Sequence, residues 1–200
     1  MAWLGLVDSL FSLAIERSAS GPAGYLALGG VPPIDFVQDF TSTPILVISI
    51  TDTRRPAYVN GKAISVAGTP YYIVDSGTIA DYFPTAVANA INNAFKPAAV
   101  YREDVGGYVV SCAAVPPVFG IEIGVKIFYT NPLDRIIHPN KDANGNDICI
   151  SSVIDGGDDT AGSLYVLGDT FLKNVVAVFD VRAGVMQFVA GENYTRIATT

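Results

Sequence analysis

Basic residues are scarce in this 200-residue sequence, and charged residues of both signs are few. Twelve Lys and Arg stand against 19 Asp and Glu, which gives a formal net charge of −7. Proteins that bind nucleic acid need basic patches to neutralise phosphates, so the charge balance argues against a nucleic-acid partner. Many carboxylates titrate in mildly acidic surroundings, so the same balance is compatible with a protein that acts in acid.

Histidine and cysteine are also scarce. His138 is the only histidine, and Cys112 and Cys149 are the only cysteines. His138 lies beside Pro139 in a polar loop, so it is not interpreted as part of a Ser-His-Asp triad. Neither cysteine belongs to a Cys-x-x-Cys pair. The sequence therefore predicts no metal and no cofactor. From the residues alone, the cysteines form either one disulfide bridge or two buried free thiols.

Long apolar runs are absent. No stretch reaches the roughly 18 apolar residues that a membrane-spanning helix requires. The opening segment MAWLGLVDSLFSLAIER has no basic leading region and is interrupted by Asp8, so it is not interpreted as a signal peptide. Leu6, Leu10, Leu13 and Ala14 recur at helical spacing and predict an amphipathic helix at this position.

Apolar residues make up 50% of the chain, which is enough for a substantial core. The run TPILVISI (43–50) and several later segments have the composition of strands, and Asn60-Gly61 predicts a tight hairpin. Residues 84–95 have helical periodicity, whereas the polar stretch 131–147 predicts a surface loop. With no repeat and no linker, residues 1–200 are predicted to form one mostly β domain with a few short helices.

A carboxylate stands at the end of one apolar strand, in YYIVDSGTIADYFP (71–84). An aspartate in this position is usually a turn former or a helix cap. Gly77 would allow the chain to fold tightly through a positive φ, and the Thr78 hydroxyl could keep Asp75 ionised. Ile73 and Val74 before the carboxylate and Ile79 after it would supply an apolar surround in which a pKa shifts readily. Asp75 is therefore a candidate functional residue.

A second segment, YVLGD (165–169), has the pattern of a core strand that ends in glycine. Val166 and Leu167 are apolar, and Gly168 would let the strand lie close to another backbone. Asp169 is predicted to cap the short helix that follows.

Together these segments resemble the C-terminal half of a pepsin-like aspartic protease of fungal type. The matching segments are SGPAGYLALGGVP near the start, IVDSGTIADYFP, the spaced cysteine pair, and YVLGDTFLKNVVAVFD. The resemblance runs from about residue 3 to residue 190, and it implies a single lobe of the pepsin-like fold. Val166, Leu167 and Gly168 would belong to the second ψ-loop of that lobe.

The resemblance implies a role for each residue of the Asp-Ser-Gly-Thr turn. Asp75 would be one of two catalytic aspartates, and Ser76 would join the hydrogen bonds between the two active-site loops. Gly77 would offer backbone contacts near the substrate, and Thr78 would bond the outer oxygen of Asp75.

Further implications concern the cleft and the cellular compartment. Ile73 and Ile79 would lie near the substrate, although the family often has a small hydroxyl residue at the position of Ile79. Cys112 and Cys149 would form a disulfide, which implies the secretory pathway, the vacuole or the extracellular space. Asn193 begins a glycosylation sequon that could be used there.

Family catalysis needs a second carboxylate, and this sequence has no second Asp-[Ser/Thr]-Gly. Asp81 is close to Asp75 in sequence and is predicted to point towards the following helix. Three further aspartates are interpreted as solvated loop residues: Asp155, Asp158 and Asp159. A calcium loop at Asp142 is rejected because the required glycine and the final glutamate are missing. The chain is expected to lack an N-terminal lobe and to be inactive alone.

Three functions follow from these observations. The chain is the C-terminal half of an aspartic endopeptidase that acts on polypeptides, paired with a second lobe from a longer precursor or a separate chain. Alternatively, two copies form a retroviral-like homodimeric protease in which two Asp75 side chains meet. In the third interpretation, the lobe is not catalytic and serves as a binding module.

Overall fold

The computed structural model describes residues 6–17, 24–36, 38–45, 57–66, 70–141, 145, 147–158 and 164–191. These residues are mostly β, as predicted, with two α-helices, α1 (Thr85–Ala94) and α2 (Asp169–Leu172), and a 3₁₀ helix (Pro132–Arg135). The strands are β1 (Leu10–Ile15), β2 (Gly24–Leu28), β3 (Thr41–Pro44), β4 (Ala57–Val59), β5 (Lys62–Ile64), β6 (Tyr71–Val74), β7 (Asp81–Phe83), β8 (Val100–Arg102), β9 (Gly107–Val110), β10 (Phe119–Ile123), β11 (Lys126–Thr130), β12 (Ile136–Lys141), β13 (Asp147–Ser151), β14 (Val153–Asp155), β15 (Leu164–Leu167), β16 (Val175–Asp180) and β17 (Val185–Ala190).

The described strands form four sheets. The largest has the order β2-β1-β16-β17-β3, and the other three are β11-β10-β4-β5, β12-β13-β9-β8 and β14-β7-β15-β6. β16 lies in the middle of the largest sheet, and its first four residues are all buried because both of its faces are covered. Helix α1 presents Val87, Ala88 and Ile91 to the same core.

The sheet β14-β7-β15-β6 positions the candidate site. β6 and β15 run parallel, and the register pairs Val74 with Leu167 at their carboxyl ends. β7 lies on the other side of β15 and pairs with it through Val166 and Tyr82. The chain segments that leave β6 and β15 therefore emerge side by side.

Several local predictions are confirmed. Asn60 and Gly61 have φ values of 49° and 78°, as a type I′ hairpin between β4 and β5 requires. Helix α1 occupies the segment predicted to be helical. Cys112 and Cys149 form a disulfide, so the alternative of two free thiols is wrong.

The predicted N-terminal helix is wrong within residues 6–17. Residues 10–15 form β1, which pairs with β2 on one side and β16 on the other. The six-residue stretch LFSLAI is too short for its spacing to distinguish a helix from a strand. Pairing with a neighbour on each side gives the backbone groups of this segment partners within a sheet, and this tertiary context decides the outcome.

The predicted surface loop 131–147 is also wrong over most of its length. It contains the 3₁₀ helix, the whole of β12 and the first residue of β13, and β12 pairs with β13 with a register shift between Ile137 and Asn140. β12 is the edge strand of its sheet, and edge strands tolerate polar residues and proline. The strand predicted over 43–50 includes the end of β3, but residues 46–50 lie outside the described ranges.

No helix among the described residues is both long and apolar enough to cross a membrane.

Candidate active site

Asp75 directly follows β6, and its carboxylate is held by its own turn. The Gly77 amide donates to Oδ1 at 2.8 Å, and the Thr78 hydroxyl donates to Oδ2 at 2.6 Å. Both bonds favour the charged form, so the Thr78 hydroxyl first and the Gly77 amide second hold the pKa of Asp75 below its usual value. The turn thus presents an ionised carboxylate that is partly open to solvent.

The reason for glycine at position 77 differs from the prediction. Gly77 is not among the residues with a positive φ, so the turn does not need a left-handed backbone at this position. A Cβ atom at residue 77 would instead stand 3.1 Å from Asp75 Oδ1. Glycine therefore leaves room for the carboxylate to approach the backbone.

The predicted apolar surround of Asp75 is present only in part, because Val74 packs against the core while the two isoleucines do not. Ile73 is 47% exposed and Ile79 is 59% exposed, so both side chains point out of the lobe on either side of the turn. Hydrogen bonds rather than desolvation consequently dominate the pKa of Asp75. The exposed pair leaves an apolar rim beside a charged carboxylate.

Residues 167–170 clamp the turn from the neighbouring strand. The Asp75 amide donates to the Leu167 carbonyl at 3.0 Å, and the Asp169 amide donates to the Thr78 carbonyl at 2.8 Å. The amide and the hydroxyl of Thr170 both donate to a single carbonyl, that of Ile79, at 3.1 and 2.9 Å. These bonds fix the backbone on both sides of the Asp75 carboxylate.

Gly168 lies at the closest point of this contact. A Cβ atom added to Gly168 would stand 2.4 Å from the carbonyl oxygens of both Thr78 and Ala80, a distance that requires the backbone to move. The close backbone approach that the sequence predicted for Gly168 is present, and the neighbouring segment is the one that carries Asp75.

The prediction that Asp81 points towards the following helix is wrong. Its side chain is fully buried in β7, where Oδ1 accepts the Gly168 amide at 2.9 Å and Oδ2 accepts Arg135 Nη1 at 3.0 Å. Burial raises the pKa of Asp81 to about 6, although Arg135 and the Gly168 amide act in the opposite direction. Sequence reasoning missed this pair. Its signal was a charge inside the strand ADYF, since a charge buried in a strand requires a partner.

Asp169 does not cap α2 with its side chain, contrary to the prediction. Gly168 holds the N-cap position and Asp169 is the first helical residue. Its Oδ1 atom is buried and has no hydrogen-bond partner among the described residues. Burial raises the pKa of Asp169, and the charge of Asp75 adds to the rise. The pKa of Asp169 therefore depends in part on the charge of Asp75.

Other candidate residues lie apart from this site or outside the described ranges. Asp155 accepts hydrogen bonds from the Thr85 hydroxyl and the Gly157 amide at the exposed start of α1. His138 Nδ1 lies 2.9 Å from Cys149 Sγ, but both sulfur atoms there are joined in the disulfide and are not thiolates. Three predictions concern residues that the structure does not describe: Asn193, Asp142 and Asp159.

The family model described as eukaryotic aspartyl protease matches residues 4–190. A relative from Aspergillus fumigatus, named "Probable aspartic-type endopeptidase", is 45% identical over 199 residues, which cover 93% of this chain and 45% of the relative. Human napsin-A is 28% identical over 88% of this chain and 42% of its own length. Cathepsin D of Chionodraco hamatus is 29% identical over 86% and 44%.

The chain spans less than half the length of these curated relatives. The family match nevertheless covers nearly all of the chain, including the Asp75 turn and the Gly168 contact. The chain belongs to the eukaryotic, pepsin-like family of aspartyl proteases.

Proposed function

We propose that this chain is the C-terminal lobe of an aspartic endopeptidase and that Asp75 supplies one of its two catalytic carboxylates. The observation that carries the proposal is the state of Asp75. Its carboxylate is partly exposed at the end of β6, while bonds from Thr78 and Gly77 favour the ionised form. The Gly77 bond is also found in ordinary Asx turns, whereas the added Thr78 hydroxyl bond and the place of the turn within the matched family region favour a catalytic role.

Peptide hydrolysis in such enzymes uses two neighbouring carboxylates that share one proton. The ionised group takes a proton from the attacking water, and the protonated group polarises the scissile carbonyl. Asp75, with its lowered pKa, would let the pair carry its single negative charge in acid. Ser76 would join the hydrogen bonds to the other loop, and Ile73 and Ile79 would contact the polypeptide substrate.

The second carboxylate would come from another lobe. The sequence contains no second Asp-[Ser/Thr]-Gly, and the curated relatives are more than twice as long as the matched region. A preceding segment of a longer protein or a separate chain would supply the missing aspartate. The disulfide and the relatives support a fungal protein of the secretory pathway or the vacuole.

The test is cleavage of an unstructured protein across acidic pH, with and without pepstatin. We expect the 200-residue chain alone to be inactive and the chain paired with an N-terminal lobe to be active. Asp75→Asn should abolish that activity, whereas Asp104→Asn, at an exposed ion pair with Arg102, should retain it. A folded, paired sample without pepstatin-sensitive cleavage would refute the proposal.

The same assay separates the two alternative functions. Pepstatin-sensitive cleavage by the chain alone, together with a dimer in solution, would support the homodimeric protease. Retained binding to a natural partner after Asp75→Ala would support the binding module, which is favoured by the exposed apolar side chains of Ile73, Ile79 and Leu164.

A further inference from the structure

The fully buried ion pair of Asp81 and Arg135 stands directly behind the Asp75 turn. Neither side chain is exposed to solvent, and Asp81 follows Thr78 by only three residues. A buried pair of this kind seldom adds net stability, because both ions lose their hydration. An apolar pair of similar volume would serve packing equally well, so the pair calls for another explanation.

The backbone contacts of Asp81 supply that explanation. Asp81 Oδ1 accepts a hydrogen bond from the buried Gly168 amide. Gly168 itself lies against the carbonyl oxygens of Thr78 and Ala80. An apolar residue at position 81 would leave this amide without its acceptor, and a buried unpaired amide costs free energy. The carboxylate therefore connects β7 to the residue around which the Asp75 turn is clamped.

Arg135 holds this carboxylate in one orientation. Besides the bond to Asp81, Arg135 Nε donates to the Thr130 hydroxyl at 2.9 Å, and its guanidinium lies 4.5 Å from the centre of the Phe119 ring. These contacts fix the guanidinium, which leaves Asp81 Oδ1 free to face Gly168. Arg135 is the one charged side chain within hydrogen-bond distance of Asp81 among the described residues.

We propose that Asp81, oriented by Arg135, is a positioning residue that fixes Gly168 against residues 78–80 and thereby sets the hydrogen bonds around the Asp75 carboxylate. The relay has three steps. Asp81 holds the Gly168 amide, the next amide along the chain holds the Thr78 carbonyl, and Thr78 donates its hydroxyl to Asp75. The geometry does not depend on the proposed function, but its consequence for catalysis does.

The test uses the intact 200-residue chain and two readouts that need no activity. The first is the titration of the Asp75 carboxyl carbon by NMR, with Asp169, the other carboxyl coupled to it, followed separately. The second is amide hydrogen exchange at Asp169 and Thr170, compared with amides of β16 as a measure of global unfolding.

The main variant is the double substitution Asp81→Leu with Arg135→Met, which removes the pair without leaving a buried charge. We expect β16 to keep its protection, while exchange at Asp169 and Thr170 becomes at least about tenfold faster. The pKa of Asp75 should rise towards the ordinary aspartate value of about 4. Asp81→Asn, which keeps an acceptor oxygen for Gly168, should preserve more of both properties.

The control is Asp104→Asn, which removes a carboxylate from the exposed pair with Arg102. It should change neither readout. If the folded double variant has the wild-type Asp75 titration and wild-type exchange at Asp169, the positioning role is refuted. If this double variant does not fold, the same two readouts on Asp81→Val with Arg135→Gln, which also removes the acceptor of the Gly168 amide, decide: values equal to wild type would refute the role, and altered values with β16 still protected would support it.

Activity of the lobe pair is measured separately. In an active pair, the double variant should lower kcat by about tenfold or more while KM stays constant, because small displacements of a reacting group are costly. An unchanged kcat would refute the catalytic consequence. Absence of activity in the wild-type pair would count against the proposed function alone, because the titration and exchange results stand independently.

Discussion

Arg135→Met should destabilise the fold, and by more at neutral pH than in acid. The substitution removes the countercharge of a carboxylate that has no solvent exposure. Removing one partner from a buried pair costs roughly 3–5 kcal/mol in proteins generally. For a chain of this size, each kcal/mol lowers the melting temperature by roughly 2–4 °C. The expected loss near pH 7 is therefore on the order of 10 °C.

The pH dependence follows from the titration of Asp81. In the intact pair, burial raises its pKa from 3.8 to about 6, so the folded state takes up a proton more readily than the unfolded state. A raised pKa gives stability that is complete below about pH 4 and is lost as the pH rises through 6. Without Arg135 the pKa of the folded state rises further, so the variant loses stability over a wider pH range.

The assay is urea unfolding followed by circular dichroism at pH 4, 5.5 and 7, with the disulfide intact. The destabilisation should be smaller at pH 4, where Asp81 is protonated in both proteins, than at pH 7. The difference should reach about 1.4 kcal/mol at most, because with a wild-type pKa of about 6 only one further unit of pH separates the two titrations at pH 7. Arg102→Met, at the exposed pair with Asp104, is the matched control and should change stability by less than about 0.5 kcal/mol. Adding Asp81→Leu to Arg135→Met should recover part of the loss at pH 7, because it removes the unpaired charge but leaves the Gly168 amide without its acceptor.

Two results would refute this reasoning. Equal destabilisation at pH 4 and pH 7 would show that lost packing against Phe119, rather than an uncompensated charge, explains the effect. A loss below about 1 kcal/mol at pH 7 would show that water or a rearrangement solvates Asp81.

Three further predictions concern the backbone contact, the turn and the disulfide. Gly168→Ala should cost about 1–3 kcal/mol or more in urea unfolding, because its Cβ would meet two carbonyl oxygens at 2.4 Å. Gly30→Ala is its control, since no atom lies within 4 Å of the added Cβ, and a similar cost at both positions would contradict the argument. Thr78→Val should raise the pKa of Asp75 by removing the bond that lowers it most, and should move the acid limb of activity in a lobe pair to higher pH. Thr78→Ser keeps the hydroxyl and should restore the wild-type profile; a Val profile equal to wild type would be the contrary result. Reduction of the disulfide by a thiol should lower the unfolding free energy by about 2–5 kcal/mol, which the urea midpoint with and without reductant measures.

Local chemistry made part of the fold and site predictable from sequence. The Asn60-Gly61 hairpin follows from turn residues that tolerate a positive φ, and α1 follows from a 3.6-residue apolar period. The Asp75 turn could be recognised because its hydroxyl donor stands three residues after the carboxylate. The disulfide was reached only through the family resemblance, because the two cysteines by themselves allowed either state.

The remaining features depend on partners that are distant in sequence. Residues 10–15 are a strand because β16 and β2 lie beside them, and β12 pairs with β13 although polar residues follow its first two isoleucines. Asp81 and Arg135 are 54 residues apart, and no local pattern specifies that both are buried. The sequence alone determined the turns, the helix and the chemistry of the Asp75 loop, because these depend on neighbouring residues. Tertiary structure decided strand pairing and the buried pair, because backbone groups and charges must find partners wherever the chain brings them.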